Sequence, residues 1–241
     1  RETGARVRIP LFPPSILLTY QITFGTFLIG ACSYMEPLNK LDDVEKYKNY
    51  GILTQPFLNK DYIYNKVITD LKHKQKDINS VYFLASLFLW IKNKVKYSRE
   101  EEIQKLKFMR TAKEIWESKK ASGCTDYAIL YATFARTLGI PTTVLHTAEY
   151  EWLQRLKNGG DSWMHYGHTF CECFFGGNWV LVDPTSEYIA REYNSEKLEL
   201  PYKVGGKSVF IPYFRGLDLG EKQNVEAHNK KMDDLCNALE I

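Results

Sequence analysis

The property that most limits what this chain can fold into is a change of period partway along it. Up to Leu138 the apolar residues recur every three or four positions; beyond Gly139-Ile140-Pro141 they gather into short β-branched and aromatic runs. Before the break, residues 59–72 read as a helix with Tyr62, Val67, Ile68 and Leu71 roughly on one face. Residues 81–95 read as a helix whose Phe83, Leu84, Leu87, Phe88, Ile91 and Val95 cover more than half its circumference, so it is buried on several sides. Thr111-Ala112-Lys113-Glu114 is a capping box that opens a short helix through Trp116. A further helix ends at Leu138, because Gly139 suits a left-handed cap and Pro141 cannot continue the ladder. Counting back about four turns puts its first turn at Cys124, just after Ser122-Gly123.

After the break, residues 141–146 read as a strand. Residues 168–175 and 178–183 flank Gly176-Gly177, a hairpin signature. Residues 150–166 form a polar, aromatic-dotted connection, helical in part over 151–156. Residues 208–214 suggest another strand and 221–239 a polar final helix. Helices first and antiparallel strands afterwards imply an α+β domain.

Three residues in this layout carry chemistry. A thiol at a helix N-terminus meets unpaired N–H groups and the positive end of the dipole, which favour thiolate. An imidazole beside it would stabilise the anion and carry the proton. In a strand starting at His168, the residues His168, Phe170, Glu172 and Phe174 share a face. A two-residue turn at Gly176-Gly177 pairs Phe175 with Asn178 and sets Asp183 on the His168 face, diagonal to it at about 7–8 Å between backbones. A three-residue loop without a bulge would separate the two.

Gly123-Cys124-Thr125-Asp126-Tyr127-Ala128, Leu138-Gly139-Ile140-Pro141, Gly167-His168-Thr169-Phe170 and Trp179-Val180-Leu181-Val182-Asp183-Pro184-Thr185 together resemble the transglutaminase-like core in order, spacing and flanking residues, over about residues 79–186. The resemblance implies a papain-like fold: a central helix bearing the cysteine, packed on an antiparallel sheet. It implies Cys124 as nucleophile, His168 as its base and Asp183 as the group that orients the imidazole. The family pattern has alanine and tryptophan after the histidine, where this chain has Thr169 and Phe170. By the same resemblance Tyr97 is the second oxyanion donor, beside the Cys124 N–H; the alternative is a packing tyrosine at a strand edge. Trp163 and His165 fall in the long connection and would shape the substrate cleft, with His165 the rival base. The activity implied is thiol-dependent hydrolysis of an amide in a protein or peptide through a thioester. Acyl transfer to an amine comes second, and a non-catalytic membrane-tethered binding module third. No cofactor is expected.

A net charge of +3, with lysines spread along the chain, gives no basic stripe for nucleic acid, and none is expected as a partner. Of the five cysteines, Cys171 and Cys173 lie on one strand face, and Cys236 falls in the final helix. A zinc site with His165 and His168 lacks the usual paired spacing, so Cys171 and Cys173 are read as buried strand residues and no metal is expected. Arg1, Arg6 and Arg8 precede an uncharged stretch in which residues 16–29 have the length of a signal-peptide core, followed by Ile29-Gly30-Ala31-Cys32. That tetrapeptide resembles the lipobox of bacterial lipoproteins, with Cys32 lipidated; an uncleaved anchor and a buried hairpin are the alternatives. The expected layout is a signal or anchor segment over 1–32, a helical extension over 33–78, the catalytic core over 79–215 and a C-terminal helix over 216–241. The protein is then expected outside the cytoplasm, held to a membrane.

Overall fold

The computed structural model describes residues 43–70, 80–160, 166–204 and 207–219, with 230, 233 and 234 beyond them. Cys32 and the whole 1–32 segment, Trp163, His165, Cys236 and most of the expected 221–239 helix lie outside the described residues.

Among the described residues, six α-helices precede or interrupt the strands: α1 (Lys60–Asp70), α2 (Val81–Lys94), α3 (Glu101–Lys105), α4 (Ala112–Ser118), α5 (Cys124–Thr137) and α6 (Tyr150–Lys157). Ser80 caps α2 by accepting from the Tyr82 N–H, and Thr111 with Glu114 forms the reciprocal capping box of α4. α5 ends as its sequence requires, with Leu138 at the C-cap and Gly139 at φ +89°. Nearly every residue of α5 from Thr125 to Arg136 is buried, because the helix lies between α2 and α4 on one side and the sheet on the other. Trp90, Trp116 and Phe134 meet with ring centroids 4.9–5.3 Å apart on the helical side. On the sheet side Val144, Cys171, Cys173, Val180 and Val182 complete the same core.

Two short strands, β1 (Lys96–Tyr97) and β2 (Lys120–Ala121), pair in parallel just ahead of α5. The main sheet is antiparallel throughout. It comprises β3 (Thr142–Glu149), β4 (Gly167–Phe175), β5 (Asn178–Asp183), β6 (Tyr188–Ala190), β7 (Leu198–Val204) and β8 (Lys207–Gly216), in the order β6-β5-β4-β3-β8-β7. Leu181 of β5 and Leu198 of β7 belong to one buried cluster with Leu145, Phe170 and Phe210, although their strands stand far apart in that order. The sheet must therefore curl, closing one face on itself while the other receives α5. The result is the α+β, papain-like arrangement: helices on one side of a curled antiparallel sheet.

Gly176 and Gly177, at φ +61° and +82°, form the two-residue turn, and Phe175 pairs with Asn178. Residues 43–58, expected to belong to a helical extension, instead form a short 3-10 helix (Glu45–Lys48) and turns that enter the body of the fold. Tyr47 stacks edge-on against Trp179, and Leu53 is wholly buried. The Leu53 N–H donates to Asp218 at 2.5 Å, so residues 217–219 close the fold there rather than begin a helix. No helix among the described residues is long and apolar enough to cross a membrane.

Candidate active site

Cys124 is the first residue of α5, and Gly123 before it has no side chain with which to cap the helix. The first-turn N–H groups have no intrahelical partner, so the thiol stands in their field. The approach to the cysteine is fixed from below by Asp126. Its Oδ2 accepts from the Ser122 N–H at 2.6 Å, from the Ser122 hydroxyl at 2.8 Å and from Arg110. Arg110 also donates to the Lys120 carbonyl and the Ser118 hydroxyl. Both members of this ion pair are buried, and together they tie α4, β2 and the turn before Cys124. Asp126 is weakly signalled in the sequence as an acid in the first turn of a helix, and Arg110 is not signalled at all.

His168 stands at the start of β4, buried, with its ring edge-on to Phe170 at 4.6 Å and 6.1 Å from Phe210. Its Nε2 lies 2.9 Å from Oδ2 of Asp183 at the end of β5. The other carboxylate oxygen of Asp183 accepts the N–H groups of Thr185 at 2.9 Å and Ser186 at 3.0 Å. The carboxylate is thus held by its own turn, and it occupies one ring nitrogen of His168. The other ring nitrogen is left for the thiol, which His168 lowers by charge and hydrogen bonding.

Burial pushes the Cys124 thiol up, but His168, by charge and hydrogen bond, together with Lys107 and Thr169, outweighs it and brings the thiol down to about 6. Burial pushes His168 down, yet Asp183 and the facing Cys124 raise it to about 10. Between those values the pair is thiolate and imidazolium. Cys171 and Cys173 behave in the opposite way. Burial pushes Cys171 well above an ordinary thiol and Cys173 up to about 12, because the Arg136 charge near them offsets only part of the desolvation. Both face α5, where Cys171 lies against the Ala128 carbonyl at 3.4 Å. Among the described residues no group of three or more His, Cys, Asp and Glu side chains could hold a metal ion.

Tyr97 lies on β1 opposite Ala121, which is three residues ahead of Cys124 on the neighbouring strand, and the residue is 55% exposed. The sequence reading passed over two side chains near the thiol. Thr169 places its hydroxyl 3.8 Å from Cys124 Sγ, and Lys107 stands next to Gly123. A second buried network on the histidine face joins Glu172 to Arg215 through both carboxylate oxygens, at 2.6 and 2.9 Å, and to Thr143 and Tyr193. It locks β4 to β3 and β8 behind the histidine.

The family model of the transglutaminase-like superfamily matches residues 64–184, half of the chain and a span that includes Cys124, His168 and Asp183. No curated protein matches the chain in sequence. Among solved structures, a candidate cysteine protease from Cytophaga hutchinsonii is similar with a TM-score of 0.46 and 18% identity, over 73% of this chain and 48% of that one. A protein named as a TGase is similar with a TM-score of 0.37 and 13% identity, over 66% of this chain and 43% of that one. The chain spans less than half the length of either structure. On the family match, the chain belongs to the transglutaminase-like superfamily.

Proposed function

We propose that the protein is a thiol-dependent hydrolase, acting on an amide bond of a protein or peptide, with Cys124 as nucleophile, His168 as acid and base, and Asp183 as the group that orients the imidazole. The observation that carries this reading is the convergence on one thiol of a helix N-terminus and a histidine whose far nitrogen a carboxylate already holds. Members of the superfamily are typically cysteine-dependent enzymes, which supports the assignment.

The Cys124 thiolate attacks the amide carbonyl carbon, and the developing oxyanion is met by the Cys124 N–H and by Tyr97. As the C–N bond breaks, His168 gives its proton to the leaving amine, and a thioester remains on Sγ. Water then attacks the thioester while His168 takes one of its protons. The C–S bond breaks, releasing a carboxylic acid and restoring the thiolate. An amine in place of water would give acyl transfer, so the balance depends on which of the two reaches the thioester.

The test uses p-nitrophenyl acetate as a generic acyl donor, followed by mass spectrometry of the peptide carrying Cys124. Acetylation of Cys124, absent from Cys124→Ala and discharged by water, supports hydrolysis. Discharge that occurs only on adding a primary amine would replace hydrolysis with transfer. A Cys124 that takes up no acyl group would leave the binding-module reading.

A further inference from the structure

Among the described residues, the hydroxyl of Thr169 has three polar neighbours: Cys124 Sγ at 3.8 Å, Thr125 Oγ1 at 3.0 Å and His146 Nδ1 at 3.3 Å. Thr125, His146 and Thr169 are all buried, on α5, β3 and β4 respectively. A hydroxyl has one proton to give and two lone pairs to fill. A thiolate can only accept. With Cys124 ionised, the single Thr169 proton goes to sulfur, and its lone pairs take the Thr125 hydroxyl proton and an N–H at His146 Nδ1. Every group in the set is then used once in a compatible direction. The reverse direction, in which Thr169 gives its proton to Thr125 or to His146, leaves the sulfur with no hydroxyl donor.

We infer that Thr169 is a hydrogen-bond donor to the Cys124 thiolate, aimed by Thr125 and His146 as positioning residues, and that it holds the sulfur along a line separate from the His168 line. The inference rests on the reading of Cys124 as the nucleophile. Its chemical role is to keep Sγ oriented when the imidazole turns to protonate the leaving group. Among the described residues, the groups that face the thiol are His168 and Thr169 from β4, Lys107 from the turn after α3, and Tyr213 from β8, which burial and then the thiolate raise above its ordinary range. His146 from β3 is bonded to Thr169, and Asp183 to His168.

The experiment is the rate of iodoacetamide reaction at Cys124 as a function of pH, in the full chain and in Thr169→Val, Thr169→Ser and His146→Asn. Valine keeps the shape of threonine and removes the hydroxyl; serine keeps the hydroxyl; asparagine keeps an N–H near the place of Nδ1. In Thr169→Val the acid limb moves up by about one pH unit, so that below the limb the reaction is about tenfold slower. Thr169→Ser and His146→Asn stay close to the parent. If the valine variant does not fold, Thr169→Ala carries the same expectation. A limb unmoved by loss of the hydroxyl, or moved as far by serine as by valine, overturns the inference and leaves the nucleophile in place. A parent protein whose limb lies in the ordinary thiol range instead overturns the reading of Cys124 itself.

Discussion

Cys124 and His168 shift each other in opposite directions, and the signs set the expected pH profile. The thiol is lowered to about 6, so the nucleophilic form is lost as pH falls through that value. The imidazolium is raised to about 10, so the proton for the leaving group is lost as pH rises through it. A plot of kcat/KM against pH for an amide substrate should therefore be a broad bell with limbs near those two values. Cys124→Ala and His168→Ala should each lower kcat by on the order of 10³-fold or more, and the double variant should be little worse, because the two act as a unit. Asp183→Ala should retain more activity, since His168 would keep its place against Phe170 while losing the group that fixes its tautomer. Steady-state kinetics on the three single variants and the double variant check that order. Full activity in His168→Ala would remove it from the reaction.

Two local devices bring these residues to one place. The Arg110–Asp126 pair holds the turn before Cys124 in a buried setting, where removing one partner strands the other. Asp126→Ala should cost about 3–5 kcal/mol in urea unfolding, far more than loss of an exposed pair such as Lys105–Glu101. The Gly176-Gly177 turn sets the register that brings Asp183 to the His168 face. A side chain at Gly176 would meet nothing within 4 Å, so the cost of adding one is conformational only. Gly176→Val should lower stability by about 1–2 kcal/mol, and Gly176→Asn by less, because asparagine tolerates the left-handed region. Thermal unfolding of the two variants measures the difference. This turn was legible in the sequence because glycine pairs and alternation are local signals. So were the capping box at Thr111 and the Leu138-Gly139 stop. Arg110, by contrast, finds Asp126 from 16 residues away, and Arg215 finds Glu172 from 43 away. No local period announces a buried ion pair. Thr169 was read only as a departure from the family pattern, since its neighbours Thr125 and His146 come from two other elements.

For the molecule as a whole, the curl of the sheet decides how much chain the fold needs. Its two faces require separate cores, and the outer one draws in residues well ahead of the family match. Arg136 joins these parts, donating to Thr54, to the Thr142 carbonyl and to the Leu217 carbonyl. Leu53→Ala should accordingly destabilise the body of the fold by about 2–5 kcal/mol, as a core leucine does, and a loss of urea-unfolding free energy under about 0.5 kcal/mol would mean that this segment is only appended. Alternation could not reveal this, because residues 43–58 are mostly turns whose burial is set by distant partners. Beyond the described residues, we propose that Cys32 is a lipidation site holding the protein to a membrane outside the cytoplasm. Multiple acyl chains, at about 0.8 kcal/mol per buried methylene, suffice for stable anchoring. Cys32→Ser in a bacterial host should leave a longer species that retains residues 1–31. Recovery of a normally shortened, membrane-bound protein would contradict the anchor and leave the active site untouched.

The central claim, that Cys124 is an activated nucleophile, is tested most directly by limited iodoacetamide labelling of the native protein near pH 7, with the modified cysteine mapped by peptide mass spectrometry. Cys124 should be modified first and nearly alone, with Cys171 and Cys173 reacting only after unfolding, because burial keeps both as thiols. Labelling of Cys171 or Cys173 ahead of Cys124 in the folded protein would contradict the account.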